Sequence, residues 1–154
     1  MDYLKHNSEE HEKAKDLAKQ IENATDSNKK RKLFEELYIM IYAHHKAEED
    51  VVFPAIMEKL DSEEDKEVVR EMIEEHSIAN YQFTVINKTG IENETWNAKF
   101  SALNEILEHH MDEEEDEFGK VARKAVSEEK REELLKEFEK AMDKREKEKE
   151  KDLK

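Results

Sequence analysis

The segment YAHHKAEEDVVFP, residues 42–54, decides how the chain folds. It places two histidines one helical turn ahead of two acids, in the middle of an apolar run. The stripe through it reads Leu33, Leu37, Ile41 or Met40, His44, Glu48 and Val51 or Val52, the i, i+3, i+4, i+7 spacing of a helix face turned to a core. An imidazole and a carboxylate therefore fall where leucine would serve packing better. A looser echo follows downstream: AHHKAEEDVVF at 43–53 is matched by EHHMDEEEDEF at 108–118.

The remainder of the chain places these two segments on helices. The sequence has 154 residues, 45% of them charged, with 2 glycines and 1 proline. That shortage of turn residues argues against sheet folds, and the Ala, Glu, Lys, Leu and Arg content with helical spacing argues for an all-α chain. Five helices are expected. The first starts after Asn7 or Ser8 and runs to about Ala24. The second runs from near Asn28 to about Leu60, with a kink at Pro54. The third is capped by Ser62 and ends at Lys88-Thr89-Gly90, the glycine reading as a left-handed residue after the helix. The fourth covers about Thr95 to Val126. Ser127 caps the fifth, which carries Leu134, Leu135, Phe138 and Met142 on one face. Short connections make neighbours antiparallel, giving an up-down-up-down four-helix bundle over residues 1–126. Residues 127–154 are an additional amphipathic C-terminal helix, whose final KREKEKEKDLK reads as a solvated or frayed tail.

Every stripe is interrupted by a polar group near its middle. The first helix carries His11, the second His44 and Glu48, the third His76 and Asn80, the fourth His110 and Glu114. His45, His109 and His6 fall off the stripes. The stripe also favours His110 with Glu114 over the neighbouring pair His109 with Glu113. At a rise of 1.5 Å per residue, the four stripe histidines lie roughly 20 to 24 Å from their connecting loops, so they share one layer. Glu48 and Glu114 sit one turn beyond their histidines, on two helices that run in the same direction. Four imidazoles and two carboxylates buried together require partners. A pair of metal ions satisfies all six, each ion taking two imidazoles with the carboxylates bridging. Imidazole with carboxylate and no thiolate suits iron, manganese or zinc, and two bridged ions with open positions suit iron with O₂ or NO. Outside Glu48 and Glu114, the acidic runs EED and DEEEDE read as solvated faces. Asn80 reads as a buried amide that hydrogen-bonds beside the site, with a weak ligand as the alternative.

Other chemistries are excluded. None of the seven histidines has an acid three residues before it, so the Glu-x-x-His pattern of ferritin-like di-iron oxidases is absent, as is H-E-x-x-H. The chain has no cysteine, which removes thiolate zinc sites, iron–sulfur clusters and disulfides. A formal net charge of −15 disfavours nucleic acid and anionic membrane as partners. The longest apolar run, LYIMIYA, is far shorter than a membrane span, and MDYLKHNSEEHEK lacks the apolar core of a signal peptide, so a cytoplasmic protein is expected.

His11, then H44-x-x-x-E48 running into VVFP, then EEH76, then H110-x-x-x-E114, together resemble the hemerythrin-like (HHE cation-binding) family over about residues 8 to 122. The resemblance implies a four-helix bundle around two iron ions bridged by an oxo or hydroxo group and by Glu48 and Glu114, with His11, His44, His76 and His110 as terminal ligands. Asn80 stands where the oxygen carriers of the family have a further histidine. The expected activity is therefore binding or reduction of a small ligand (O₂, NO or peroxide). Two alternatives are iron handling, as a sensor or as a donor to iron–sulfur cluster repair, and a metal-free interaction bundle. The expected oligomeric state is monomer or homodimer.

Overall fold

The computed structural model describes residues 1–154, and all the regular structure in it is helical. Helix α1 is Tyr3–Asn23. Helix α2 is made of three consecutive segments: Ser27–Ala47, a π-helical turn Glu48–Val52, and Phe53–Glu58. Helix α3 is Glu63–Lys88. Helix α4 repeats the pattern of α2, with Trp96–Glu113, a π-helical turn Glu114–Phe118, and Gly119–Ala125. Helix α5 is Glu128–Asp152. Short connections separate them, as in a bundle of antiparallel neighbours. No helix is long and apolar enough to cross a membrane.

The helix starts follow local capping chemistry. Asp26, Ser62 and Ser127 each accept a hydrogen bond from the backbone N–H three residues on. Ser127→Ala removes such a cap from α5 and is expected to cost about 1 kcal/mol; a denaturant melt of the variant checks it.

Three expectations about boundaries require correction. Helix α1 starts five to six residues earlier than the Asn7 or Ser8 cap implied. Asp2 is the cap, its carboxylate accepting from Lys5 N–H at 3.1 Å, and its other oxygen is held by Arg131 of α5 at 2.7 Å. His6 therefore lies within a helix. Gly90 is not left-handed: no residue has positive φ, and α3 ends on Thr89 in extended backbone. The irregularity expected at Pro54 falls just before it, as the π-helical turn. Pro54 then occupies the first turn of the segment Phe53–Glu58, where a missing N–H costs least.

The tail is not frayed. Helix α5 continues to Asp152 and lies along α2. Arg145 makes a two-pronged pair with Asp50 at 2.8 and 2.8 Å. The Lys149 ammonium stands 4.4 Å from the Tyr38 ring and 4.6 Å from the Tyr42 ring. Binary pattern misses these contacts because they are made by charged residues over aromatic faces.

Buried apolar side chains form two clusters. One includes Tyr3, Val52, Phe53, Ile56, Met72, Phe118 and Phe138. The other includes Ile21, Phe34, Leu37, Phe83, Ile86, Phe100, Leu103 and Leu107. Buried histidines and glutamates lie at the junction of the two, which is why each stripe breaks near its middle.

Candidate metal centre

The two π-helical turns begin at Glu48 and Glu114. A π turn inserts extra residue length into a helix without breaking it, so the face before the turn and the face after it can both point inward. In α2 the turn follows His44 directly by one helical turn, and in α4 it follows His110 in the same way. Phe53 and Gly119 close these turns by donating to the carbonyls of Glu48 and Glu114. The echo between HHKAEEDVVF (44–53) and HHMDEEEDEF (109–118) thus accompanies a repeated local structure, offset by one residue from the sequence match, that presents a carboxylate from each of two helices.

His11, His44, His76, His110, Glu48 and Glu114 are all buried, each 4% exposed or less. They converge into two groups, together with His45. His45, Glu48, His76 and His110 can each offer a donor atom within 4.8 Å of one another, and so can His11, His44 and Glu114. His109, by contrast, is exposed and pairs with the half-buried Glu113 at 3.0 Å, outside these two groups.

Three residues of the layer and its surroundings escaped the sequence pattern. His45 is buried, although it falls off the stripe of α2; its ring stacks flat on His76, centroids 3.7 Å apart and 5° from parallel. Tyr3 is buried and its hydroxyl donates to Glu48 Oε2. Asn7, also buried, accepts from His44 Nε2 at 2.7 Å. No stripe argument could find the last two, because α1 was expected to start after them.

The acidic runs are not simply solvated. Glu115 accepts from His11 Nδ1 at 2.6 Å, Glu49 from His76 Nδ1 at 2.8 Å, and Glu75 from His110 Nδ1 at 2.7 Å. Each of these carboxylates orients one imidazole and turns its Nε2 inward. Asn80 is exposed and lies at the rim of a cleft. It is not the buried amide expected.

The inward-facing atoms have a common problem. Nε2 of His76 and His110, Nδ1 of His44, Oε1 of Glu48 and Oε2 of Glu114 are all buried without a hydrogen bond. His76 Nε2 stands 3.2 Å from Glu48 Oε1, yet the angles are not those of a hydrogen bond. A buried donor or acceptor left unmade costs about 1–3 kcal/mol, and more when charged. Lone pairs that point at shared space rather than at each other fit metal cations, which take them all at once. The donor set, imidazole and carboxylate without thiolate, fits iron, manganese or zinc.

Titration behaviour follows from the same crowding. Burial pushes His44 down to about 3, and it holds His45 well below the usual histidine range, helped by the neighbouring His76 and His110. Burial also lowers His76. Burial would lower His11 too, but the hydrogen bonds and charges of Glu114 and Glu115 outweigh it and raise it. Burial and the nearby Glu114 charge hold Glu48 well above the usual carboxylate range. Burial and the Glu48 and Glu114 charges push the Tyr3 phenol far up, so it stays a proton donor.

Residues 6–122 match the model of the hemerythrin HHE cation binding domain. The chain belongs to that family. The hemerythrin HHE fold is also seen in a solved structure, a hemerythrin HHE cation binding domain-containing protein from Mycobacterium kansasii. That structure is 22% identical, with a TM-score of 0.82, and the alignment covers 95% of this chain and 88% of that one. The comparison with curated proteins finds no match. The HHE match stops at residue 122, before α5, but α5 is still part of the site's wall: Phe138 meets the His44 ring edge-on at 5.1 Å and the Tyr3 ring at 5.0 Å.

Tyr3→Phe isolates the hydroxyl that binds Glu48. It is expected to lower metal affinity roughly 10–100-fold, the usual effect of removing a group that orients a metal-binding carboxylate. Competition against a chromophoric chelator measures the change, and an unaltered affinity would show that Glu48 is held without Tyr3.

Proposed function

We propose that this protein holds two iron ions, bridged by Glu48 and Glu114, and binds or reduces a small ligand (O₂, NO or peroxide) there. His11 and His44 serve one ion, His76 and His110 the other. The observation that supports this most directly is the set of unpartnered imidazole and carboxylate atoms facing one another at the junction of the two apolar clusters. Membership of the hemerythrin HHE family supports a cation as their partner.

Bound iron would supply redox chemistry and open coordination positions for the small ligand. The chain does the rest. Glu115, Glu49 and Glu75 and the Asn7 amide fix ring orientation and tautomer. Tyr3 holds one oxygen of Glu48 and leaves the other free. Leu37, Ile41, Phe83, Leu107 and Phe118, all buried, limit water around the centre. A small ligand suits the site, because the cleft beside His45 and His76 encloses only about 60 Å³.

The test is iron content per chain in protein from iron-supplemented cells, with absorption spectra before and after exposure to air. Two irons, with the near-ultraviolet charge-transfer bands of a coupled ferric pair and a reversible or rapid response to O₂, NO or peroxide, support the reading. Iron surrendered to a chelating acceptor within one redox cycle would move the reading to iron handling. No bound metal, and melting indifferent to chelator, would overturn it.

A further inference from the structure

Five imidazoles surround the two inward carboxylates, Glu48 and Glu114, and they are not held alike. Four have an outer partner: His11 has Glu115, His44 has Asn7, His76 has Glu49 and His110 has Glu75. Such partners accompany almost every resident metal-ligating histidine, because they fix the ring and its tautomer. His45 has none. Its ring lies flat on His76 and edge-on to His110, with centroids 5.2 Å apart in the second pair. Yet a His45 nitrogen lies within 4.8 Å of donor atoms of Glu48, His76 and His110.

The space around His45 is equally distinctive. On one side its ring borders the cleft formed with Tyr42, Ser77 and Asn80, which opens to solvent. On the other it borders a smaller inner cavity with Met40, Leu107 and Met111. His45 and Ile41 line both, so this ring is part of the partition between them.

We propose that His45 is a displaceable ligand: with iron bound, its ring nitrogen would be a donor to the ion held by His76 and His110, and the ring would give way to an incoming small ligand from the cleft it lines. This rests on the di-iron reading above. Beyond its bond to the ion, only stacking worth about 0.5–1.5 kcal/mol would favour the His45 ring, whereas the other four rings also have an outer hydrogen bond, so an exogenous donor replaces His45 first. The cleft gives the ring somewhere to go. A coordination position that is closed until a ligand arrives also shields the reduced centre from water.

Azide, a small anion that binds ferric iron, is the probe. Wild-type and His45→Ala proteins are loaded with iron, analysed for iron per chain and titrated with azide at its visible charge-transfer band. The expected result is two irons in both, with azide bound tenfold or more tightly by the variant, since nothing has to be displaced. Loss of one iron from the variant would make His45 a fixed ligand and overturn the proposal. Equal or weaker azide binding would make it a bystander or a hydrogen-bond donor, and would overturn it too. If neither protein holds iron, the di-iron reading fails first and this inference with it. A wild-type measurement removes dependence on the variant's folding: proton NMR of the iron-loaded form counts contact-shifted, exchangeable imidazole N–H signals. The five rings around the centre should all give one at rest, with one signal lost at saturating azide. An unchanged number would overturn the proposal.

Discussion

Saturating the metal-free protein with ferrous ion under anaerobic conditions is expected to raise its thermal midpoint by roughly 20 °C. Each ion bound only by the folded state, at a thousandfold excess over its dissociation constant, contributes about 4 kcal/mol. For a chain of this length 1 kcal/mol moves the midpoint by about 2–4 °C. The effect is large because the metal-free layer is costly: buried nitrogens and oxygens of His44, His76, His110, Glu48 and Glu114 have no hydrogen bond. A scanning calorimetry pair, metal-free against loaded, measures it. Identical midpoints would mean that the polar layer needs no ion. The pH dependence has a definite sign. Among the six expected ligands of the metal-free protein, His11 and Glu48 have a raised affinity for protons, so the ions must expel those protons. Metal affinity, and the stability derived from it, should fall as pH falls.

Phe138→Ala is expected to cost about 3–5 kcal/mol in the metal-free protein, the range for removing a buried aromatic ring. Phe138 is fully buried, and its ring meets Tyr3, His6 and His44 at 5.0, 6.0 and 5.1 Å. A second effect separates wall from filler. The cavity loosens Tyr3, and with it the hydrogen bond to Glu48, so iron affinity should fall along with stability. Glu139→Ala, one residue on and exposed, is the control and should change neither. Guanidinium melts with and without iron distinguish the cases. An equal loss in both would confine Phe138 to packing, whereas a larger loss in the loaded protein shows that α5 helps hold the centre.

Much of the arrangement was legible from side-chain periodicity. Residues three or four apart in a helix share a face, so sequence alone places His44 with Glu48 and His110 with Glu114 inside. Depth along each helix then put His11 and His76 in the same layer. The same logic failed at His45, because a strict stripe has room for one of two adjacent histidines. Where a helix is ringed by α1, α3, α4 and α5, a wider arc is buried than the stripe allows. It failed again at Glu49, Glu75 and Glu115. A charged residue at the edge of a buried face looks solvated in sequence, and only the position of a histidine on another helix shows what it orients.

Composition, heptad-like spacing and capping residues were enough to specify an all-α chain, its helix order and the inward carboxylates, because these depend on local geometry alone. Long-range packing was needed for the rest: the start of α1 at Asp2, held by Arg131, the docking of the charged tail on Tyr38, Tyr42 and Asp50, and the outer partner of each imidazole. Each of those joins residues distant in the chain, and their energies come from desolvated polar contacts whose partners no periodicity encodes.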